Sequence, residues 1–396
     1  MNTSAGAATK APAEVGADVA IIGGGLAGAA AACAFARRGI STVLFEPRAQ
    51  SDGLLSCSAD SATPRLMAGR RAKCCGHCLH GRVRASLAAL ELTDCVDRIA
   101  HGRTTRARIE RRGVPALEFE LADPGFVVRR DELDPALLDE ARRRGVVIIA
   151  QSARWSPREN LVRSDSVECR PKLVVGADGL SSRVARDAGL VEHGRQGRRF
   201  GLAFDFEADA ELADALVEEG TIRMIVADGG YLGLVRERHA VHAGLLLDAK
   251  VSARDALARI GTEHREIGAI PQSILHQALA CASGAGPIPF RTTSAWSDGL
   301  ALIGDAAGYV EPFTGEGMTW AFESAALLDA AVAASTSLDA VPARYGALRS
   351  EALAWTTRRC RAIAWVVARP RLVTAALRFA QCAPSISRRI LQGVVR

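Results

Sequence analysis

The sequence predicts an α/β fold: a parallel-sheet domain discontinuous in the chain, an inserted and mainly antiparallel β-sheet, and a set of C-terminal helices. Three observations predict it. Near the start, a short β-branched run passes through a glycine-rich turn into an alanine-rich helix. Two further apolar runs end in Asp178-Gly179 and in Gly304-Asp305. Between those runs, apolar and smaller residues alternate as in half-buried strands, and after Leu327 the pattern is helical.

In the first element, Asp18-Val-Ala-Ile-Ile22 reads as a buried parallel strand and Ile40 to Phe45 as its neighbour, ending on Glu46 and, just beyond, Arg48. Gly23 permits a tight turn, Gly25 lets the backbone approach a pyrophosphate, and Gly28 allows helix and strand to pack closely. Leu26 and Ala27 fall in the first helical turn, where unpaired N–H groups and about half a positive charge face the phosphates. Glu46 lies where a carboxylate accepts both ribose hydroxyls and repels a 2′-phosphate, which suits FAD or NAD. The unit is Rossmann-like and is expected to bind a dinucleotide.

The 396 residues allow two or three domains, and 48% hydrophobic content fits a soluble globular enzyme. Residues 1–16 lack the apolar core of a secretory signal and are expected to be a disordered tail. No apolar segment is long enough to span a bilayer, and the expected location is cytoplasmic. Ten cysteines are too dilute for a disulfide scaffold and suit a reducing compartment. The net charge of +6 is uneven: from Ala343 onward eleven Arg stand against one Glu. Such basic helices suit peripheral contact with an anionic membrane or an acidic carrier protein, although a solvated arginine face is the simpler reading. No nucleic-acid reader motif is present, so that class is excluded.

The inserted sheet is read from Phe200, Leu202, Phe204 and Phe206, from runs at 221–227, 230–236 and 240–247, and from an earlier pair at 106–110 and 116–121. Residues 251–282 read as helical, and helix breaks are expected near Pro342, Pro370 and Pro384. The resulting division assigns 17–75, 126–196 and 286–340 to the dinucleotide domain, 76–125 and 197–285 to a substrate domain, and 341–396 to basic helices.

Leu173-Val-Val-Gly176-Ala-Asp178-Gly179 and Leu300-Ala-Leu-Ile303-Gly304-Asp305 are strands that end in turns, the second opening a helix. Asp305 can there accept a ribityl hydroxyl. Glu311-Pro312-Phe-Thr314-Gly315-Glu316-Gly317-Met318 is a glycine-bracketed turn whose backbone N–H groups suit a flavin's pyrimidine carbonyls. Together these motifs resemble the p-hydroxybenzoate hydroxylase fold group of FAD enzymes, over residues 18–330. The resemblance implies a discontinuous FAD-binding domain, reduction of FAD by NAD(P)H, and an FAD contact by the arginine that maps to Arg130 in Val127-Val-Arg-Arg130. The aromatic hydroxylases usually carry His where this chain has Gly308, whereas Pro312, Thr314-Gly-Glu-Gly317, Ala321 and Ser324 are more similar to geranylgeranyl reductases. Lys73-Cys-Cys75-Gly76 resembles that subgroup's Lys-x-Cys-Gly segment beside the flavin. The subgroup's Tyr-x-Trp-x-Phe-Pro is replaced by Tyr231-Leu-Gly-Leu-Val235, and the halogenases' Trp-x-Trp-x-Ile-Pro is absent.

Cys74, Cys75, His77, Cys78 and His80 include a CxxC, which raises zinc or a redox-active thiol pair. All these groups lie within seven residues with no second knuckle, so a flavin-loop element is preferred and no metal is expected. Tyr231 and His242 are the weak catalytic candidates, although sheet packing accounts for each; His101, His193, His239, His264 and His276 read as surface or satisfied residues. Reduced flavin then has two outlets: with oxygen, hydroxylation of an electron-rich ring; without it, hydride delivery to a C=C bond. The preferred expectation is a monooxygenase of secondary metabolism acting on a small lipophilic, polyketide- or isoprenoid-like substrate, suggested by the phenylalanine-rich sheet around Tyr231. The alternatives are a geranylgeranyl reductase-like C=C reductase and a non-catalytic flavin-binding partner protein.

Overall fold

The structure is a computed structural model, and it describes residues 12–49, 73–192, 199–238 and 240–383. Cys57, His193, His239 and Pro384 lie outside the described residues. Five strands, Leu300–Leu302, Leu173–Gly176, Val19–Ile22, Thr42–Phe45 and Val147–Ile149, pair in that order, all parallel. Trp296–Ser297 adds an antiparallel edge beside Leu300–Leu302. These strands are apolar along nearly their whole length because both faces are covered. The helix Leu26–Arg37 packs on one face with Arg130–Arg143 and Gly317–Ala333, and its alanines admit the close approach of its neighbours.

The second sheet has eight strands, in the order Ser283–Ile288, Arg199–Glu207, Ala240–Asp248, Gly230–Glu237, Thr221–Ala227, Gly102–Arg111, Val114–Val127 and Cys78–Leu79. All pairs are antiparallel except Thr221–Ala227 with Gly102–Arg111. Period-two alternation divides its two faces. Phe204, Phe206, Leu232 and Leu245 lie under the helices Ala253–Glu263, Arg265–Gly268 and Gln272–Ala280. Met224, Val226, Tyr231 and Leu246 occupy the opposite face and meet Val367, Val373 and Leu377 of the C-terminal helices Val341–Val367 and Pro370–Cys382.

Four expectations change. Within the expected tail at 1–16, Ala13–Glu14 is a strand paired in parallel with Val167–Glu168, and residues 1–11 lie outside the described residues. That strand joins Val167–Cys169, Leu161–Arg163 and Arg154–Ser156 in a third, small sheet, which the sequence reading merged into the dinucleotide domain. The helices Arg84–Ala89 and Thr93–Asp97 bury Leu87 and Val96 in the same core as Leu26–Arg37, so part of 76–125 packs with the dinucleotide domain. Phe204 and Phe206 do not surround Tyr231: alternation places them on the far face, and Phe200 is largely exposed.

Under the large sheet, Arg223 is buried and donates to both oxygens of Glu110 (3.0 and 2.9 Å) and to Leu216 O. Burial pushes the Glu110 carboxyl up, but hydrogen bonds from His264 and Arg223 outweigh it and hold the group at about 2. Its stabilising effect is therefore complete above the ordinary carboxylate range and is lost as pH falls through the folded value. Arg223→Met should cost about 2–3 kcal/mol in urea unfolding at neutral pH, because it removes the two-pronged donor of a buried carboxylate and leaves it Arg108 and His264. The deficit should shrink towards pH 2, as Glu110 protonates.

Candidate active site

The motifs sit at the carboxyl ends of adjacent parallel strands, where open α/β sheets place ligands. Gly23 has φ +106°, and a Cβ there would overlap Ala177 O in the Asp178-Gly179 turn. A Cβ at Gly28 would overlap Gly23 O and stand 3.1 Å from Ala177 Cβ, so these glycines fix the packing of helix on strand. A Cβ at Gly304 would come within 2.9 Å of Ala27 Cβ. Three segments far apart in sequence thus meet around the start of Leu26–Arg37.

At that start, Lys73 Nζ lies 2.8 Å and Arg130 Nη2 4.0 Å from where a Gly25 Cβ would stand. Both cations also hold Asp134, Lys73 at 3.0 Å and Arg130 at 2.7 Å. No side chain caps Leu26–Arg37, and no acid occupies its first turn. Uncapped amides with an ammonium and a guanidinium over a bare glycine fit a pyrophosphate. Glu46 is buried and accepts hydrogen bonds from Gly24 N (2.8 Å) and Arg48 N (3.1 Å), which aims it across the same cleft. Asp305 is half-buried; lost solvent pushes its carboxyl up to about 6 against the pull of Arg130 and Lys73. No hydrogen bond reaches that carboxylate among the described residues, which leaves it open to a ligand hydroxyl. The residues fit FAD.

The second turn is held from outside. Gly315 adopts φ +68°, and Gly317–Ala333 begins with no side-chain cap and with Met318 buried. Behind it, buried Glu316 binds Arg82 and Arg359, Arg82 also reaches Glu323 at 2.9 Å, and His80 Nε2 bonds to Thr314 O at 2.6 Å. None of these clamps is local in sequence, and no pattern announces them. Pro312 opens the short 3-10 turn Pro312–Thr314 that leads into Gly315.

Other expected contacts differ. The carboxylate of Asp178 accepts from Ser182 Oγ, Arg183 N (2.7 Å) and Val184 N (3.2 Å), so it shapes its own turn. Gly179, at φ +77°, completes that turn. Cys75 lies beside Arg130, whereas Gly76 is exposed with open space around it. The cysteines and histidines of 74–80 diverge: His80 binds the Thr314 carbonyl and His77 turns towards Asp205. Burial pushes Cys74 and Cys78 up to about 12 and Cys75 upward as well, which opposes a reactive thiolate.

On the sheet side, Tyr231 is buried edge-on to Phe313 (5.0 Å), and its hydroxyl has no partner among the described residues. His242 shares that face but binds Asp205 at 2.9 Å and stacks on His77, so it is already engaged. The sequence reading missed Glu311. It is buried, paired with Arg199 at 2.7 Å, and pushed by desolvation up to about 7. Burial, with a smaller push from its charge, raises the hydroxyls of Tyr231 and Tyr309 well above the ordinary tyrosine value.

Gly25→Val should abolish flavin retention, read as loss of the yellow absorbance while the far-UV circular dichroism stays unchanged. Asp305→Ala should weaken FAD binding by roughly 1–3 kcal/mol in an equilibrium titration, the scale of a lost charged hydrogen bond.

The family model described as "FAD binding domain" matches residues 16–362. Similar curated proteins include digeranylgeranylglycerophospholipid reductase 1 of Methanococcoides burtonii, 24% identical over 78% of this chain and 72% of that protein. Ubiquinone hydroxylase UbiL of Rhodospirillum rubrum is 27% identical over 84% of this chain and 77% of its own length. Among solved structures, Pseudomonas aeruginosa PqsL in complex with 2-aminobenzoylacetate superposes with TM-score 0.70 at 20% identity, covering 92% of this chain and 99% of that one. Klebsiella pneumoniae HpxO complexed with FAD and uric acid gives TM-score 0.72 at 18% identity, with 95% of each chain covered. The chain belongs to the FAD binding domain family and is an FAD-dependent oxidoreductase.

Proposed function

We propose that the protein is an FAD-dependent monooxygenase that hydroxylates a lipophilic aromatic, polyketide- or isoprenoid-like substrate. The observation that carries this reading is the sheet face opposite its own helices: Met224, Val226, Leu246 and Ile288 cluster there with Phe313 around Tyr231, whose buried hydroxyl has no partner among the described residues. Such a surface favours an apolar body with one oxygen function to meet the phenol. FAD, reduced by the NAD(P)H usual for the family, supplies the redox chemistry. The chain's own residues bind, exclude water and move protons. Tyr231 orients the substrate. Glu311 exchanges a proton near neutral pH, and Arg199 holds it in place.

The second reading, reduction of a C=C bond, draws on the curated relatives, whose names divide between reductase and hydroxylase. The nine described cysteines are all free thiols, which supports a cytoplasmic setting. Among the described residues no helix is long and apolar enough to cross a membrane. A peripheral contact fits better. Trp355, Arg358, Ala362, Trp365 and Arg369 recur at helical spacing on one exposed face, Phe379 is exposed on the next helix, and Arg361, Arg371 and Arg378 flank them. Interfacial aromatics among basic groups suit an anionic bilayer, from which a lipophilic substrate is drawn.

With NAD(P)H and lipophilic phenols or quinones, hydroxylated product should form only under oxygen. A saturated product under anaerobic conditions would install the reductase reading instead. Glu311→Gln should remove an ionisation near pH 7 from the kcat/KM profile, because the wild-type group is protonated below that value and charged above it. In sedimentation assays the protein should bind phosphatidylglycerol vesicles but not neutral ones, and the Trp355→Ser, Trp365→Ser pair should lose most of that binding. Equal binding to both vesicle types would dismiss the membrane contact.

A further inference from the structure

We propose that His77, Asp205 and His242 form a binding site for a divalent transition-metal cation of the zinc class, at the seam between the large sheet and the segment that carries Cys74 and Cys75. One donor atom from each residue lies within 4.8 Å of the others. His242 Nδ1 is 2.9 Å and His77 Nε2 3.4 Å from the same Asp205 oxygen, and the two rings stack at 4.3 Å. Both imidazoles are buried, while the Asp205 side chain is 21% exposed and leaves a route for an ion.

Counting protons makes the case. His77 Nδ1 stands 3.2 Å from Val128 O, and a carbonyl only accepts, so Nδ1 carries the hydrogen. A neutral His77 then turns the lone pair of Nε2 towards a carboxylate oxygen. His242 repeats the conflict. If its Nδ1 donates to Asp205, its Nε2 lone pair faces Glu237 Oε2 at 3.9 Å, and both of those buried atoms lack a partner among the described residues. Protonating both rings would remove both conflicts but would stack two imidazolium cations face to face. A single divalent ion removes them with both rings neutral. It takes His77 Nε2, His242 Nδ1 and an Asp205 oxygen, which frees His242 Nε2–H to donate to Glu237.

The outer partners are then those that orient metal-bound imidazoles, a backbone carbonyl for one ring and a carboxylate for the other. The nearest fixed cation, Arg129, is engaged by Asp131 at 2.6 Å and Glu132 at 3.4 Å. Two imidazoles and a carboxylate favour zinc over calcium or magnesium, and the absence of thiolate among the three donors disfavours copper(I). The ion would fasten the strands Arg199–Glu207 and Ala240–Asp248 to the loop beside the flavin cleft. The sequence reading looked for zinc on the neighbouring CxxC; here the donors come from three distant segments.

The flavin-loaded protein, stripped with a chelator, is titrated with Co2+ as a spectroscopic probe and with Zn2+ in thermal melts. One equivalent of Co2+ should develop visible ligand-field bands, and excess Zn2+ should raise Tm by several degrees, roughly the effect of a ligand far above its Kd. His77→Gln, His242→Ala and Asp205→Asn, each checked for native circular dichroism and flavin content, should abolish the bands. The Cys75→Ser, Cys78→Ser pair should keep them. Absent bands with no Zn2+ effect on Tm in the wild type would overturn the site. So would bands that survive in the folded His77→Gln and Asp205→Asn variants, or bands lost with the cysteines.

Discussion

Close approach of backbone to backbone around Gly23 and Gly28 is the constraint on which the rest of the molecule depends. A single methyl at either position would collide with a carbonyl oxygen: that of Ala177 for Gly23, and that of Gly23 itself for Gly28. Because those contacts are bare, the helix Leu26–Arg37 starts directly above two parallel strands, and Gly304 can bring a third turn against Ala27. The uncapped amides, Lys73, Arg130, Glu46 and Asp305 then surround one cleft. Cations gather at the helix N-terminus and carboxylates where hydroxyls are held, which matches the charge distribution of a dinucleotide.

The pocket beyond that cleft is built by a different economy of polar groups. One face of the large sheet is sealed by its own helices, and the other is shared between the dinucleotide domain and the two C-terminal helices. Little polarity survives there. The exceptions are the His242–Asp205 pair, Tyr231, without a hydrogen-bond partner among the described residues, and the Glu311–Arg199 pair, whose carboxylate lies poised near neutrality. Burial supplies both properties: it strands a phenol that water would otherwise satisfy, and it raises a carboxyl that water would otherwise ionise.

The joints between these parts are ionic. Glu316 draws Arg82 and Arg359 onto the back of the turn at Gly315, and Asp329 receives Arg37 and Arg38 from the first helix, at 2.9 and 2.5 Å. The histidine–aspartate group at 77, 205 and 242 is a further long-range joint, since it ties the sheet to the loop flanking the cleft. Each joint unites segments separated by tens to hundreds of residues.

The sequence by itself determined the dinucleotide architecture, because its requirements are local. A β-branched run, glycines at fixed offsets and a terminal acid specify strand, turn and helix wherever they occur, and Glu46 and Gly25 could be named as candidates for that reason. The strand at Thr221–Ala227 was equally plain as a run set between Gly and charged turns. Alternation says that two faces differ, however, and not which face meets the cofactor; Phe204 and Phe206 were therefore credited to the pocket although they lie on its far side. Asp178 came from the Asp-Gly motif of the resemblance, and only the structure shows that its carboxylate accepts from Ser182, Arg183 and Val184. Tertiary structure alone decided Glu311 with Arg199, Glu316 with Arg82, and His77 with Asp205. A pairing energy depends on distance in space, and nothing in the spacing of those residues along the chain encodes it.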